Sequence, residues 1–349
     1  MIIGNNYGHG GDIYKNKIEY DFSANVNPYG TPEKVKEAIR KSAEGVAVYP
    51  DPYCGKLRKK LSECKGIEEE YIICGNGAAD LIFQFVTALN PRKTLLPVPS
   101  FSEYENALKG CGHEAELYFL QRDNDFALTE SFLEAITDDT DLVMLCNPNN
   151  PTGQSIDPKL LEKLLERCRE KNVWLFMDEC FLDLTLGKNS VSMAPMLRKD
   201  DKVFILYAFT KLYGMAGVRL GYGICKNEDM LKAMSSLSQP WNVSTPAQEA
   251  GCAALDCESW VKETKEKIFK EKDYLANALR EMGISIIEGD ANYIMICGLP
   301  GLYEKMLKRG FLIRSCANYH GLGEGDFRIA VRRHEENEAF LKALKEVLV

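Results

Sequence analysis

No stretch of this 349-residue chain approaches 18 consecutive apolar residues, so no membrane-spanning helix is expected. Basic charge is short as well: 43 Lys and Arg stand against 51 Asp and Glu, a formal net charge of −8. That balance argues against nucleic acid as a partner, because phosphate backbones call for a basic face. It leaves room for a small anion in a locally basic pocket. The twelve cysteines are scattered, with no CxxC pair and no Cys/His cluster at zinc-ligand spacing. Neither a metal site nor a disulfide scaffold is expected. Cys74, Cys146 and Cys225 sit inside apolar runs and read as buried thiols of a reducing compartment. Residues 1–7 lack the basic-then-apolar order of a secretory signal. The expectation is a cytoplasmic protein with neither nucleic acid nor membrane as partner. Internal repeats, low-complexity tracts and flexible linkers are missing too.

What is present is a globular composition, 45% hydrophobic with well-mixed charges, and enough length to bury a large core. Residues 1–30 read as an extended arm containing Gly-His-Gly-Gly-Asp at 8–12. Thr31 is expected to cap a helix with Pro32 at its first position and Val35, Ala38 and Ile39 on one face. A second helix carries Leu57, Leu61 and Cys64. Short apolar runs follow at 71–74, 94–98, 142–146, 174–177, 203–207 and 220–225, separated by helical stretches such as 78–89 and one opened by Asp157-Pro158. Continuous apolar strands alternating with helices predict a mainly parallel sheet covered on both faces. After about residue 238 the pattern changes. Helices are expected at 245–256 and 258–282, then strands near 284–288, 293–297, 311–314 and 327–331, then a closing helix. The organisation predicted is α/β: an arm (1–30), a large domain with a mostly parallel sheet (31–240) and a smaller α+β domain (241–349).

In an open α/β sheet, ligands gather at the carboxyl ends of the strands. The first run ends in Gly75-Asn76-Gly77-Ala78-Ala79-Asp80, where small residues let amides at a helix N-terminus approach an anion. By itself that turn is weak, since it has neither Walker spacing nor the full dinucleotide fingerprint. The third run ends in Asn147-Pro148-Asn149-Asn150-Pro151-Thr152-Gly153, richer than a turn needs. The fourth delivers Asp178-Glu179 to the same edge, and the fifth ends in Ala208-Phe209-Thr210-Lys211, with Arg219 eight residues on. Charges beside apolar strands need partners. An anion-binding turn, an amide, a carboxylate, a lysine and an arginine together fit pyridoxal phosphate: lysine for its aldehyde, carboxylate for its ring nitrogen, helix N-terminus and arginine for its phosphate.

Asn150-Pro-Thr-Gly, Asp178 and the Lys211-to-Arg219 spacing occur in the order and positions of a known group. Along nearly its whole length the sequence resembles the fold-type I pyridoxal-phosphate enzymes of the class I/II aminotransferase group. The resemblance implies that Lys211 bonds the cofactor's aldehyde carbon and shuttles the proton, and that Asp178 keeps the ring nitrogen protonated. It implies that Asn150 donates to the phenolic oxygen, that Phe101 stacks on the ring, and that Ala78, Ala79, Thr210 and Arg219 hold the phosphate. Tyr49 is expected to reach the cofactor phosphate of a neighbouring subunit, which implies a homodimer with shared sites. Arg328 matches the arginine that grips a substrate α-carboxylate. Two positions depart from the common pattern: Phe181 stands where many members have tyrosine, and Ala208 where a phosphate-binding serine is common.

Within the group the sequence is similar to two families, the L-threonine-O-3-phosphate decarboxylases of cobalamin synthesis and the histidinol-phosphate aminotransferases. His9-Gly10-Gly11-Asp12, the segment Asp21 to Pro28, Phe181, and Arg314-Ser-Cys-Ala-Asn318-Tyr319 favour the decarboxylases. That resemblance implies that His9, Asn25, Arg314 and Arg328 contact a phosphorylated small amino acid, whose phosphate and carboxylate suit two arginines. An aminotransferase remains the alternative. A nicotinamide dehydrogenase would leave Lys211 idle, and a non-catalytic regulator would need a DNA-binding module that an acidic chain opening on the arm does not offer. His113, His320 and His334 receive no role.

Overall fold

The computed structural model describes residues 8–15, 17–187 and 189–348. The signal-peptide reading of residues 1–7 and the first part of the expected arm therefore lie outside the described residues. The arm contributes β1 (Tyr20–Asp21). The large sheet is built from β2 (Ile72–Gly75), β3 (Thr94–Val98), β4 (Ala115–Phe119), β5 (Leu142–Cys146), β6 (Trp174–Asp178), β7 (Val203–Ala208) and β8 (Gly221–Ile224), in the order β2-β8-β7-β6-β5-β3-β4. Neighbours from β7 to β4 pair in parallel, whereas β8 runs antiparallel to both β7 and β2.

The apolar runs become strands because both of their faces are covered. In β5, Leu142 and Met144 pack with Leu81, Ile82 and Phe85 of the helix Ala78–Leu89. Val143 and Leu145 join Leu160, Leu161, Leu164 and Leu165 of the helix Pro158–Lys171 on the other face. Each such side chain contributes about 1.5–3 kcal/mol on burial. Asp157 caps the latter helix by accepting from the amides of Lys159 and Leu160, as its Asp-Pro start predicts.

One local expectation is corrected, and one strand goes beyond the apolar runs of the sequence. Thr31 is no cap: its hydroxyl donates to the Gly214 carbonyl at 2.6 Å, and the first helix begins at Glu33. As expected, the helix Gly55–Lys65 carries Leu57, Leu61 and Cys64; its buried face is Leu57 and Leu61, and Cys64 lies on the exposed side. The edge strand β4 gave no apolar run, because an edge strand buries only part of each face and carries Glu116 outward.

The second sheet comprises β9 (Ser285–Ile287), β10 (Tyr293–Cys297), β12 (Arg314–Ser315) and β13 (Phe327–Ala330), antiparallel in the order β12-β13-β10-β9. Leu275 and Leu279 of the helix Glu258–Glu281 and Phe340 and Leu344 of the helix His334–Leu348 share its core. The arm is tied to this region, since β1 pairs with β11 (Phe311–Leu312) and the Phe22 ring stacks on Phe340 at 4.5 Å. Where this region meets the turn after β5, Tyr293 donates to the Asn149 carbonyl at 2.7 Å. Gly289 lies so close to Gly153 that an added Cβ would stand 2.0 Å from its carbonyl carbon. No described helix is long and apolar enough to cross a membrane. All twelve cysteines are free thiols, and all but Cys64, Cys111 and Cys180 are buried.

Candidate active site

The strand ends open into one cleft of about 950 Å³ that includes open solvent. Its floor begins at the turn between β2 and the helix Ala78–Leu89. No side chain caps that helix, so its first amides, those of the cleft-lining Ala78 and Ala79, are left uncapped at the positive end of the helix dipole. Gly77 has φ +86°, and a Cβ there would stand 2.5 Å from Arg219 Nη2. Only glycine lets the guanidinium lie over the turn. Arg219 forms no ion pair among the described residues; its Nη1 donates to the Ala216 carbonyl at 3.3 Å. Uncapped amides, Arg219 and Thr210 make an anion cradle that suits a phosphate ester.

Asp178 ends β6 and is buried in the cleft wall. Its Oδ1 accepts from the Cys180 amide at 2.9 Å and its Oδ2 from the Tyr104 hydroxyl at 2.7 Å. Burial pushes the carboxyl above its usual range, while these donors hold it down. A buried carboxylate so arranged fits a pyridinium N–H. Lys211 follows β7 in a single helical turn, Phe209–Leu212. Burial, then the charge of Arg328, lowers its amine to about 8, so it is readily neutral. Its Nζ stands 5.4 Å from the Phe181 ring, where a tyrosine would have supplied a hydroxyl. Phe101 lines the cleft and meets Tyr104 edge-on at 5.7 Å. Phosphate cradle, carboxylate, amine and aromatic face together match the donor set that pyridoxal phosphate needs.

The opposite wall comes from the chain's two ends. Arg328 on β13 is buried, and its guanidinium meets only neutral oxygens. Nη2 donates to the Ser23 carbonyl at 2.8 Å and Nη1 to Asn150 Oδ1. With its amide assigned so that oxygen meets donor, Asn25 accepts from Arg328 Nε at 2.9 Å. With Oδ1 engaged, Asn150 keeps its amide N–H groups for another acceptor. Arg314 on β12 is buried too: Nη2 donates to Asn318 Oδ1 at 2.9 Å, and the guanidinium lies 5.0 Å from the Tyr319 ring centre. Neither arginine meets a carboxylate among the described residues. A buried cation without a counter-ion marks a place for an anion.

The structure therefore brings Ala78, Ala79, Phe101, Asn150, Asp178, Thr210, Lys211, Arg219, His9, Asn25, Arg314 and Arg328 to one cleft, with Phe181 and Ala208 on its lining. Tyr49 stands apart. Its ring is 74% exposed and stacks on Trp241 at 4.4 Å, outside the cleft of its own chain. Sequence reasoning missed Tyr104 and Tyr319. Tyr104 lies three residues after Phe101 in Pro-Ser-Phe-Ser-Glu-Tyr, and its full burial with a polar end shows only in the structure.

The chain is 34% identical over 332 residues to the threonine-phosphate decarboxylase of Salmonella typhimurium, covering 94% of this chain and 91% of that one. It is 33% identical over 354 residues to a histidinol-phosphate aminotransferase of a Geobacillus species, covering 98% and 95%. Among solved structures, the histidinol-phosphate aminotransferase of Clostridium acetobutylicum superposes with a TM-score of 0.87 at 29% identity, over 94% of this chain and 98% of that one. Residues 17–344 match the family described as aminotransferase class I and II. The fold, the cleft and these likenesses agree: the chain belongs to the class I and II aminotransferase family, whose members depend on pyridoxal 5'-phosphate.

Proposed function

We propose that the protein decarboxylates L-threonine O-3-phosphate to (R)-1-aminopropan-2-yl phosphate and carbon dioxide. The observation that carries this reading is the pair of buried arginines, Arg314 and Arg328, on one wall of the cleft, which meet no carboxylate among the described residues. A phosphorylated amino acid brings an anion for each. Arg328, fixed by Asn25, Ser23 and Asn150, offers a rigid fork to the α-carboxylate. Arg314, beside His9, offers another to the phosphate.

The bound cofactor supplies an electron sink for the bond broken at the substrate's Cα. Asp178 keeps a proton on the ring nitrogen, which deepens that sink. The carboxylate leaves Cα as carbon dioxide, and Lys211, whose amine burial lowers to about 8, delivers the proton that Cα takes up in its place. Phe181 excludes water under that amine and donates nothing to the phenolic oxygen, leaving Asn150 as the donor there. The protein acts as a homodimer in this reading, with Tyr49 completing the phosphate site of the other copy.

The second reading is a histidinol-phosphate aminotransferase, favoured by the likeness to such enzymes. Histidinol phosphate carries one anionic group and would leave one arginine facing none, although a dicarboxylate acceptor would answer both. Serine phosphate lacks only a methyl, worth roughly 1 kcal/mol of discrimination. The test mixes holoenzyme with L-threonine O-3-phosphate and no keto acid. Carbon dioxide release over many turnovers supports the decarboxylase. A single turnover that resumes only on adding 2-oxoglutarate makes the protein an aminotransferase.

A further inference from the structure

We propose that Glu103 and Glu105 are positioning residues that clamp the His9 strap and the loop after Arg314 over the cleft, and so set the affinity for the substrate's phosphate. The proposal rests on the reading of that wall as a phosphate site.

Both carboxylates stand in the first turn of the helix Glu103–Gly110, directly after Phe101. Between them Tyr104 points inward to Asp178. Glu103 Oε1 meets His9 Nε2 at 2.8 Å and also accepts from Asn106 Nδ2 at 2.9 Å, which fixes its rotamer. The His9 contact holds the Glu103 carboxyl below its usual range. With Nε2 committed to Glu103, His9 has Nδ1 left for a ligand. The strap reaches the cleft along a set path: a Cβ at Gly10 would stand 2.2 Å from the Ser23 carbonyl oxygen, and the Gly11 amide donates to Ser23 Oγ at 2.7 Å. The same Ser23 carbonyl receives Arg328, so strap and carboxylate site share an anchor.

Glu105 meets His320 Nε2 at 3.1 Å. His320, which the sequence left without a role, follows Tyr319 and Asn318, the two side chains that hold the Arg314 guanidinium. Arg122 grips Asp326 with both Nη atoms, at 3.2 and 2.6 Å, beyond the far end of that loop. One helical turn thus ties down both segments that carry phosphate ligands. Two carboxylates beside an anion site would repel it if bare; each faces an imidazole instead.

The experiment compares holoenzyme with Glu103→Ala, Glu105→Ala, the double variant, and Glu103→Gln and Glu105→Gln, which keep an acceptor oxygen. Three readouts are taken: calorimetric binding of inorganic phosphate, KM against kcat for L-threonine O-3-phosphate, and tryptic cleavage after the exposed Lys15. Each alanine variant should weaken phosphate binding about threefold and the double variant about tenfold, as expected for partly exposed pairs on separate segments. KM should rise by similar factors and exceed any fall in kcat, with the glutamine variants closer to wild type. Glu103→Ala should speed cleavage after Lys15, and Glu105→Ala should not. Unchanged phosphate affinity in the double variant, or no phosphate binding in the wild type, overturns the proposal. If the wild type fails to turn over threonine phosphate, the proposed function falls, while the phosphate titration and the cleavage rates still decide this inference.

Discussion

The two walls of the cleft are built in different ways. On the large-sheet wall, Ala78, Asn150, Asp178 and Lys211 each stand at, or a few residues beyond, a strand end and Arg219 just before β8 begins, on a scaffold covered by apolar side chains on both faces. On the other wall, His9, Asn25, Arg314 and Arg328 come from the chain's two ends, and hydrogen bonds to Ser23, Asn150, Asn318 and Glu103 hold them in place. The first wall follows from local sequence and sheet order. The second exists only once residues some 300 apart have docked. Substitutions on the first should damage the cofactor and all chemistry together; those on the second should damage substrate binding and spare the cofactor.

The largest effect is expected from Lys211→Ala, a loss of activity on the order of 10⁴-fold or more, since it removes both the attachment point and the proton carrier. The same lysine gives a pH test on cofactor-free protein. Its amine is lowered to about 8, and only the neutral form attacks an aldehyde. The rate of cofactor loading, followed by absorbance, should climb with pH through about 8 and level off above it. A climb continuing toward the ordinary lysine value of about 10.4 would place Lys211 in a wetter site.

Next comes the substrate wall. Arg328→Ala should cost about 3–4 kcal/mol, roughly 10²–10³-fold in kcat/KM, by removing a buried charge-assisted fork. Arg328→Lys should recover little of it, because an ammonium cannot reach Asn25, Ser23 and a carboxylate in one plane. Cofactor affinity in both variants, read by equilibrium dialysis, should stay within about fivefold of wild type. Loss of cofactor with loss of Arg328 would show that the walls act as one, through its contact with Asn150.

Tyr104→Phe is smaller and falls on the other side. Asp178 would lose one of its two donors while staying buried, at a cost of about 1–3 kcal/mol. Cofactor affinity and kcat should drop together, with KM nearly unchanged; a change in KM alone would break the division between the walls.

This division also governs how far the sequence could be read. The strands 94–98 and 142–146 and the helix 78–89 stand where the apolar runs place them, because two covered faces make a strand continuous in apolar residues. The direction of β8 was not legible, since a glycine-rich apolar run reads alike in parallel and antiparallel pairing. Gly223 is there because a Cβ would strike the Phe204 ring at 2.1 Å, a fact of packing without a sequence pattern. Thr31 carried the residue type of a cap, but a tertiary acceptor at Gly214 took its hydroxyl. On the second wall no spacing links His9 to Glu103 or Asn25 to Arg328. His9, Asn25, Arg314 and Arg328 entered only through resemblance, and the side chains that hold them, Glu103 among them, had no signature at all.

The last comparison is between neighbours. Asp178 ends β6 and Glu179 follows it, and the alternation of extended chain sends the two to opposite sides. Asp178 faces the cleft. Glu179 faces away, where Oε2 accepts from Ser192 Oγ and the Tyr207 hydroxyl, both at 2.6 Å, and Oε1 from the Met193 amide at 2.8 Å. Burial raises its carboxyl from 4.5 to about 7. The folded protein therefore holds this proton more tightly than the unfolded chain between those values. Its contribution falls as pH rises from 4.5 to about 7 and is constant above, a loss of at most about 3 kcal/mol. Glu179→Gln removes the titration and leaves activity within about twofold, since nothing on the cleft side changes. In urea unfolding, the variant's stability relative to wild type should improve between pH 5 and pH 8. A difference independent of pH would mean that three donors suffice to keep Glu179 ionised in the core.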